Sequence, residues 1–128
     1  MSDDEKMIMK GLSMAEVERY TLENIKDIMS VGLDPSRTFI FTNTAYIRQC
    51  PEFQENVLKL LTCVNVNRVK KILGVCDEHP RGMFYFGAVE EAPCISSSFP
   101  HIFGKRTDIP CLVPAAVDQV SGKKFVSL

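Results

Sequence analysis

From Met14 onward apolar residues recur at helical spacing: Met14, Val17, Tyr20, Ile25, Ile28 and Met29 share one stripe, with Glu18, Lys26 and Asp27 mostly off it. Ser13-Met14-Ala15-Glu16 has the S-x-x-E spacing of a capping box, and Gly32 supplies a stop, so a helix is predicted over 14–31. After the Asp34-Pro35 turn, Thr38-Phe39-Ile40-Phe41-Thr42 is β-rich without alternation, as expected for a strand covered on both faces in a parallel sheet. Pro51 then opens a second helix over 51–64, with Phe53, Val57, Leu60, Leu61 and Val64 on its apolar face. Asn65 caps a third over 66–73, with Val66, Val69, Ile72 and Leu73 inward and Gly74 ending it. The stretch 82–93 suits a buried helix through Met83, Phe84, Phe86, Val89 and Ala92, although Phe84-Tyr85-Phe86 suits a strand as well; helix is the reading taken. Residues 109–114 read as another short buried strand, whose two prolines limit its pairing. The alternation predicts an α/β fold, a partly parallel sheet flanked by helices. Ligands gather beyond the carboxyl ends of such strands, which draws attention to the residues after Thr42 and after Val113.

Length and composition change this picture little. The 128 residues are 45% hydrophobic and 24% charged, the make-up of one ordinary soluble domain, and 15 basic against 16 acidic side chains leave no excess field for nucleic acid or membrane. The five cysteines are odd in number and never in C-x-x-C spacing, and His79 and His101 lack a second good ligand nearby, so reduced, buried cysteines are expected and no metal site. The acidic start, Met1-Ser2-Asp3-Asp4-Glu5-Lys6, leads into no long apolar run, which argues against a signal peptide or membrane span and for a cytoplasmic location.

The glycines are scattered, and Gly122-Lys123 lacks the loop that precedes a Walker lysine. Three polar groups are candidates for chemistry: Asp3-Asp4-Glu5, Glu90-Glu91 and Asp118-Gln119. Each has a plain structural reading too, as a solvated terminus, an exposed charge pair and a loop after a strand. Were two or three to converge, their carboxylates would favour a ligand bearing an ammonium group, since opposite charges attract more strongly in a sheltered site than in water.

The same residues carry a resemblance. Met1-Ser2-Asp3-Asp4-Glu5-Lys6 is similar to a (Met/Leu)-Thr-Asp-Asp-Glu-Lys segment, Glu23-Asn24-Ile25-Lys26-Asp27-Ile28 to Glu-Asn-Ala-Lys-Asp-Ile, and Thr38-Phe39-Ile40-Phe41 to Thr-Phe-Ile-Phe. Ser97-Ser98-Phe99-Pro100-His101-Ile102-Phe103 and Asp108-Ile109-Pro110-Cys111-Leu112-Val113-Pro114 continue it in the same order. These segments resemble the eukaryotic cytosolic tryptophanyl-tRNA synthetases, class I enzymes with a Rossmann-type catalytic domain, over residues 1–119; the tail, 120–128, is unrelated.

The resemblance implies an enzyme that activates tryptophan with ATP and magnesium and passes it to tRNA(Trp). It implies that Glu5 holds the substrate ammonium and that Gln119 lines the tryptophan pocket. Where the family has Gln-Ala-Ala-Pro this chain has Glu90-Glu91-Ala92-Pro93, so an amide contact becomes the Glu90 carboxylate, which attracts the ammonium of an amino acid and repels its carboxylate. In the family the His-x-Gly-His signature lies upstream of Asp-Asp-Glu-Lys and the Lys-Met-Ser-x-Ser signature downstream of Asp-Gln; neither stands within these 128 residues. The expectation is therefore an incomplete Rossmann-type nucleotide-binding domain, a fragment that holds neither ATP nor magnesium and is inactive alone. The alternative is a non-catalytic binding or regulatory module that associates with full-length synthetase, and a homodimer is a further expectation.

Overall fold

The computed structural model describes residues 1–114. The chain divides into two compact units, Met1–Arg48 and Gln49–Leu128.

In the first unit α1 (Asp3–Lys10) and α2 (Met14–Ser30) pack on each other through a short turn. Gly11 makes that turn in the left-handed region at φ 64°, a conformation glycine reaches without the penalty of a Cβ. The capping box of α2 is complete: the Ser13 side chain accepts the Glu16 backbone N–H at 3.4 Å, and the Glu16 carboxylate accepts the Ser13 N–H at 2.9 Å. The helix predicted over 14–31 is therefore in place, although of its apolar stripe only Val17 is buried. α3 (Asn43–Gln49) begins directly after the predicted first strand. Tyr46 on α3 is buried, with Phe41 at 4.9 Å and Phe39 at 5.6 Å between ring centroids.

In the second unit α4 (Pro51–Cys63) packs on α6 (Gly82–Glu91) and on two 3-10 turns, Ala92–Cys94 and Ser96–Ser98; α5 (Val66–Leu73) meets α6, and α7 (Pro100–Phe103) follows. Phe53, Val57, Val89 and Ala92 are wholly buried, each large side chain worth about 1.5–3 kcal/mol relative to exposure. Asn56 is buried among them and satisfied: its Nδ2 donates to Ser97 Oγ at 3.0 Å and to Ser98 Oγ at 2.8 Å. Ser98 Oγ in turn donates to the Ala92 carbonyl at 2.7 Å. Pro51 in the first turn of α4 and the Asn65 cap that accepts the Arg68 N–H start α4 and α5, and Gly74 at φ 67° ends α5, where the sequence predicts.

Two expected strands, 38–42 and 109–114, are not formed among the described residues, so the partly parallel sheet is not seen here. The run 38–42 has one rung of parallel pairing: the Met1 amino group donates to the Phe41 carbonyl at 2.6 Å, and the Asn43 N–H donates to the Met1 carbonyl at 3.0 Å. That is the bond pattern of a parallel ladder around Thr42, but a single rung is not a strand. Residues 109–114 are neither paired nor buried as a strand, with Leu112 90% exposed. Pro110 and Pro114 donate nothing to a ladder. The preference for helix over 82–93 is met by α6 and the first 3-10 turn; α1 and α3 were not predicted.

Candidate functional site

Asp3, Asp4 and Glu5 occupy the first turn of α1, where carboxylates meet the positive end of the helix dipole. The plain reading of a solvated terminus fails, because Asp3 and Asp4 are buried, 6% and 9% exposed. Asp3 Oδ1 accepts the Thr44 backbone N–H at 3.1 Å, and Asp3 Oδ2 accepts the Thr44 hydroxyl. Asp4 Oδ1 accepts Asn43 Nδ2 at 2.9 Å, while Asp4 Oδ2 is shielded without a donor. Burial pushes the Asp4 carboxyl above its ordinary range, and the Asn43 bond opposes that shift. The pair thus pins the start of α3, immediately beyond Thr42, to the start of α1.

Glu5 is turned to a different environment. It lines a cavity of about 250 Å³ with Leu12, Val17, Tyr20, Thr21 and Asn24. Its carboxylate accepts Lys6 Nζ at 2.8 Å, and its side chain is 23% exposed. A ligand ammonium reaching Glu5 would displace a lysine ammonium, an exchange of like for like in charge.

In the second unit Glu90 and Glu91 sit in the last turn of α6, at the negative end of its dipole. Glu90 is exposed, as a surface charge pair would have it, but Glu91 is half-buried with Oε1 shielded and without a donor. Burial and the Glu90 charge push Glu91 up to about 7, with Arg68 acting in the opposite sense. Glu91 also lines an apolar cavity of about 140 Å³ among α4, α5 and α6. Of the residues singled out in the sequence, Glu5 thus belongs to the first unit and Glu90 to the second, while Asp118 and Gln119 lie outside the described residues.

Sequence reasoning drew attention to the residues after Thr42 but assigned no role to Asn43 and Thr44, although cap-type residues directly after a β-rich run are a legible sign of a helix start. It also expected buried cysteines, and only Cys50 is buried; Cys63, Cys76 and Cys111 are exposed, and the Cys76 Sγ lies 2.9 Å from His79 Nδ1. Among the described residues no group of three or more His, Cys, Asp or Glu side chains could hold a metal, and no helix is long and apolar enough to cross a membrane.

No protein-family model matches the chain. Individual relatives match it closely. It is 43% identical over 120 residues to the cytoplasmic tryptophan–tRNA ligase of Schizosaccharomyces pombe and 48% identical over 119 residues to that of Rattus norvegicus; each match takes in 93% of this chain, but only 30% and 25% of the respective relative. Among solved structures, a tryptophanyl-tRNA synthetase from Encephalitozoon cuniculi bound to tryptophan superposes with a TM-score of 0.83 at 40% identity, covering 97% of this chain and 35% of that one. The synthetase of Trypanosoma brucei gives a TM-score of 0.88 at 36% identity over 98% of this chain and 37% of its own. The chain thus spans between a quarter and three-tenths of the length of these curated relatives. Both its sequence and its fold match tryptophan–tRNA ligases over nearly its whole length, and the chain belongs to the tryptophanyl-tRNA synthetase family.

Proposed function

We propose that the chain forms part of the catalytic domain of a tryptophan–tRNA ligase and supplies residues that bind the amino acid. Glu5 receives the tryptophan ammonium; the observation that carries this is its carboxylate on the wall of the 250 Å³ cavity, in a segment whose relative from Encephalitozoon cuniculi was solved bound to tryptophan. The resemblance makes Glu90 and Gln119 further candidates for contact with the amino acid, Gln119 through an amide that donates or accepts without adding charge. Residues 1–119 are the synthetase portion and 120–128 a separate tail, which the matched length of 119 residues supports. In the whole domain 38–42 and 109–114 are strands of a Rossmann-type sheet, and the rung between Met1 and Thr42 supports the first of these.

ATP and magnesium are handled by the two signature motifs, neither of which these 128 residues contain, so no step of activation is assigned to the residues in hand. Losing even one preorganised donor to a developing charge costs about 100- to 1000-fold, and a polypeptide without both motifs does not activate tryptophan. tRNA(Trp), a second copy of the chain and a cytoplasmic location complete the proposal; the relatives are named cytoplasmic.

Two measurements on the 128-residue chain test this. Tryptophan-dependent ATP–pyrophosphate exchange should be absent, and its presence would overturn the assignment of ATP handling to the two signatures. The chain contains no tryptophan, so the fluorescence of added tryptophan reports its binding without a protein background. Binding should weaken at least tenfold in Glu5→Gln, as loss of a charge-assisted bond of about 1.5–3 kcal/mol requires. Equal binding by the two proteins would remove Glu5 from the site.

A further inference from the structure

We propose that the cavity among α4, α5 and α6 binds a small primary amine with an apolar body, its ammonium held by Glu91. The proposal does not rest on the proposed tryptophan contacts, although Glu90, one of them, adjoins Glu91. Leu60 and Leu61 of α4, Val66 and Val69 of α5 and Phe84 of α6 give it apolar walls, and among the described residues Glu91 is the one polar side chain in its lining. At about 140 Å³ it matches the apolar cavities of about 150 Å³ that hold benzene, which sets the size of the occupant at six to eight non-hydrogen atoms, roughly.

The carboxylate decides the chemistry of the occupant. Glu91 Oε1 is shielded from solvent and receives no hydrogen bond, and an unsatisfied buried acceptor is costly. An ammonium group supplies the donor and the opposite charge together, whereas a neutral apolar molecule supplies neither. Inside the cavity a free amino acid is disfavoured, because its own carboxylate would face Glu91 and the apolar walls. The charged and titratable groups that act with Glu91 are Glu90 on the same helix, Arg68 on α5 and the Cys94 thiol in the following 3-10 turn; the α4 residues of the lining are apolar. Glu91 is also particular to this chain relative to the Gln-Ala-Ala-Pro pattern it resembles, where the position is alanine, so the amine site is not implied by that resemblance.

Benzylamine has the required size and charge. Titrated into the chain at pH 8, it should produce saturable NMR shifts of the Leu60, Val66 and Val69 methyl groups. Benzyl alcohol should bind at least tenfold more weakly, and phenylalanine should leave those methyls unmoved. The affinity for benzylamine should rise several-fold from pH 6 to pH 8, where Glu91 ionises and the amine stays charged. Glu91→Gln should lose at least tenfold in benzylamine affinity. Glu91→Ala, which restores alanine and leaves the walls intact, should lose benzylamine yet shift the same methyls with toluene, a check that the cavity persists. Absence of methyl shifts with benzylamine, or equal affinity in wild type and Glu91→Gln, would overturn the proposal.

Discussion

Two acidic doublets, Asp3-Asp4 and Glu90-Glu91, look alike in the sequence and are treated in opposite ways. The first stands at the N-terminal end of α1, where the helix dipole favours negative charge, and its buried carboxylates find partners in Asn43 and Thr44. The second stands in the last turn of α6, where the dipole disfavours it; Glu90 stays exposed, and Glu91 is half-buried with one oxygen unpartnered. Burial alone therefore does not distinguish a structural acid from one poised for a ligand. Asp3 has a donor at each oxygen and Asp4 at one, whereas Asp4 Oδ2 and Glu91 Oε1 are both shielded without one.

The largest test of the contrast removes an acid that has its partners. Asp3→Ala leaves the Thr44 N–H and hydroxyl without an acceptor, and should lower the stability of the chain by about 2–3 kcal/mol in urea denaturation. Glu91→Ala removes an acid whose Oε1 has no hydrogen-bond donor and should not destabilise in the same way at pH 8.

Next comes the pH dependence. Glu91 titrates near 7 in the folded chain against about 4.5 unfolded. Between those values the unfolded chain releases a proton that the folded chain retains, so folding stability falls as pH rises through that window. Allowing for solvent screening of a half-exposed group, the fall should be about 1–2 kcal/mol. Asp4, also raised, acts with the same sign from near pH 3.8 upward. Glu16, Asp34 and Asp108 are held low by hydrogen bonds to Ser13, Ser36 and Arg106; they act with the opposite sign, losing stability in acid below about pH 4. Urea titrations from pH 5 to 8 should therefore show a decline in the wild type that is flattened in Glu91→Gln.

A smaller effect comes from a capping serine. Ser13→Ala removes the hydroxyl that accepts the Glu16 N–H and should cost about 1 kcal/mol in the same assay. The smallest is Lys6→Ala, which removes the ion pair with Glu5 and should change stability by less than about 1 kcal/mol, while sharpening tryptophan binding if Lys6 competes for Glu5.

The helices were legible because their signals are local. Ser13 and Glu16, Pro51, Asn65 and Gly74 each act within one turn of their own position, and α2, α4 and α5 start and stop beside them. Apolar spacing identified Phe53 and Val57 as core but overstated the burial of Val66 and Leu61, which border the cavity and are 57% and 37% exposed. The strands were illegible in a deeper sense: a run such as 38–42 becomes a strand only by pairing, and among the described residues only Met1 pairs with it. The family resemblance was carried by ordered short motifs; Glu5 and Glu90 stood out already as members of acidic groups, and the resemblance supplied only their expected roles.

By itself, then, the sequence determined the family of this protein and the bounds of α2, α4 and α5, because motifs and caps are written in neighbouring residues. The fate of each acidic doublet was decided only by tertiary structure. Asn43 and Thr44 reach Asp3 and Asp4 from about forty residues away, and Glu91 becomes the polar wall of an apolar cavity through the packing of three helices. A carboxylate responds to the solvent and donors around it in space, and these the linear order of residues does not contain.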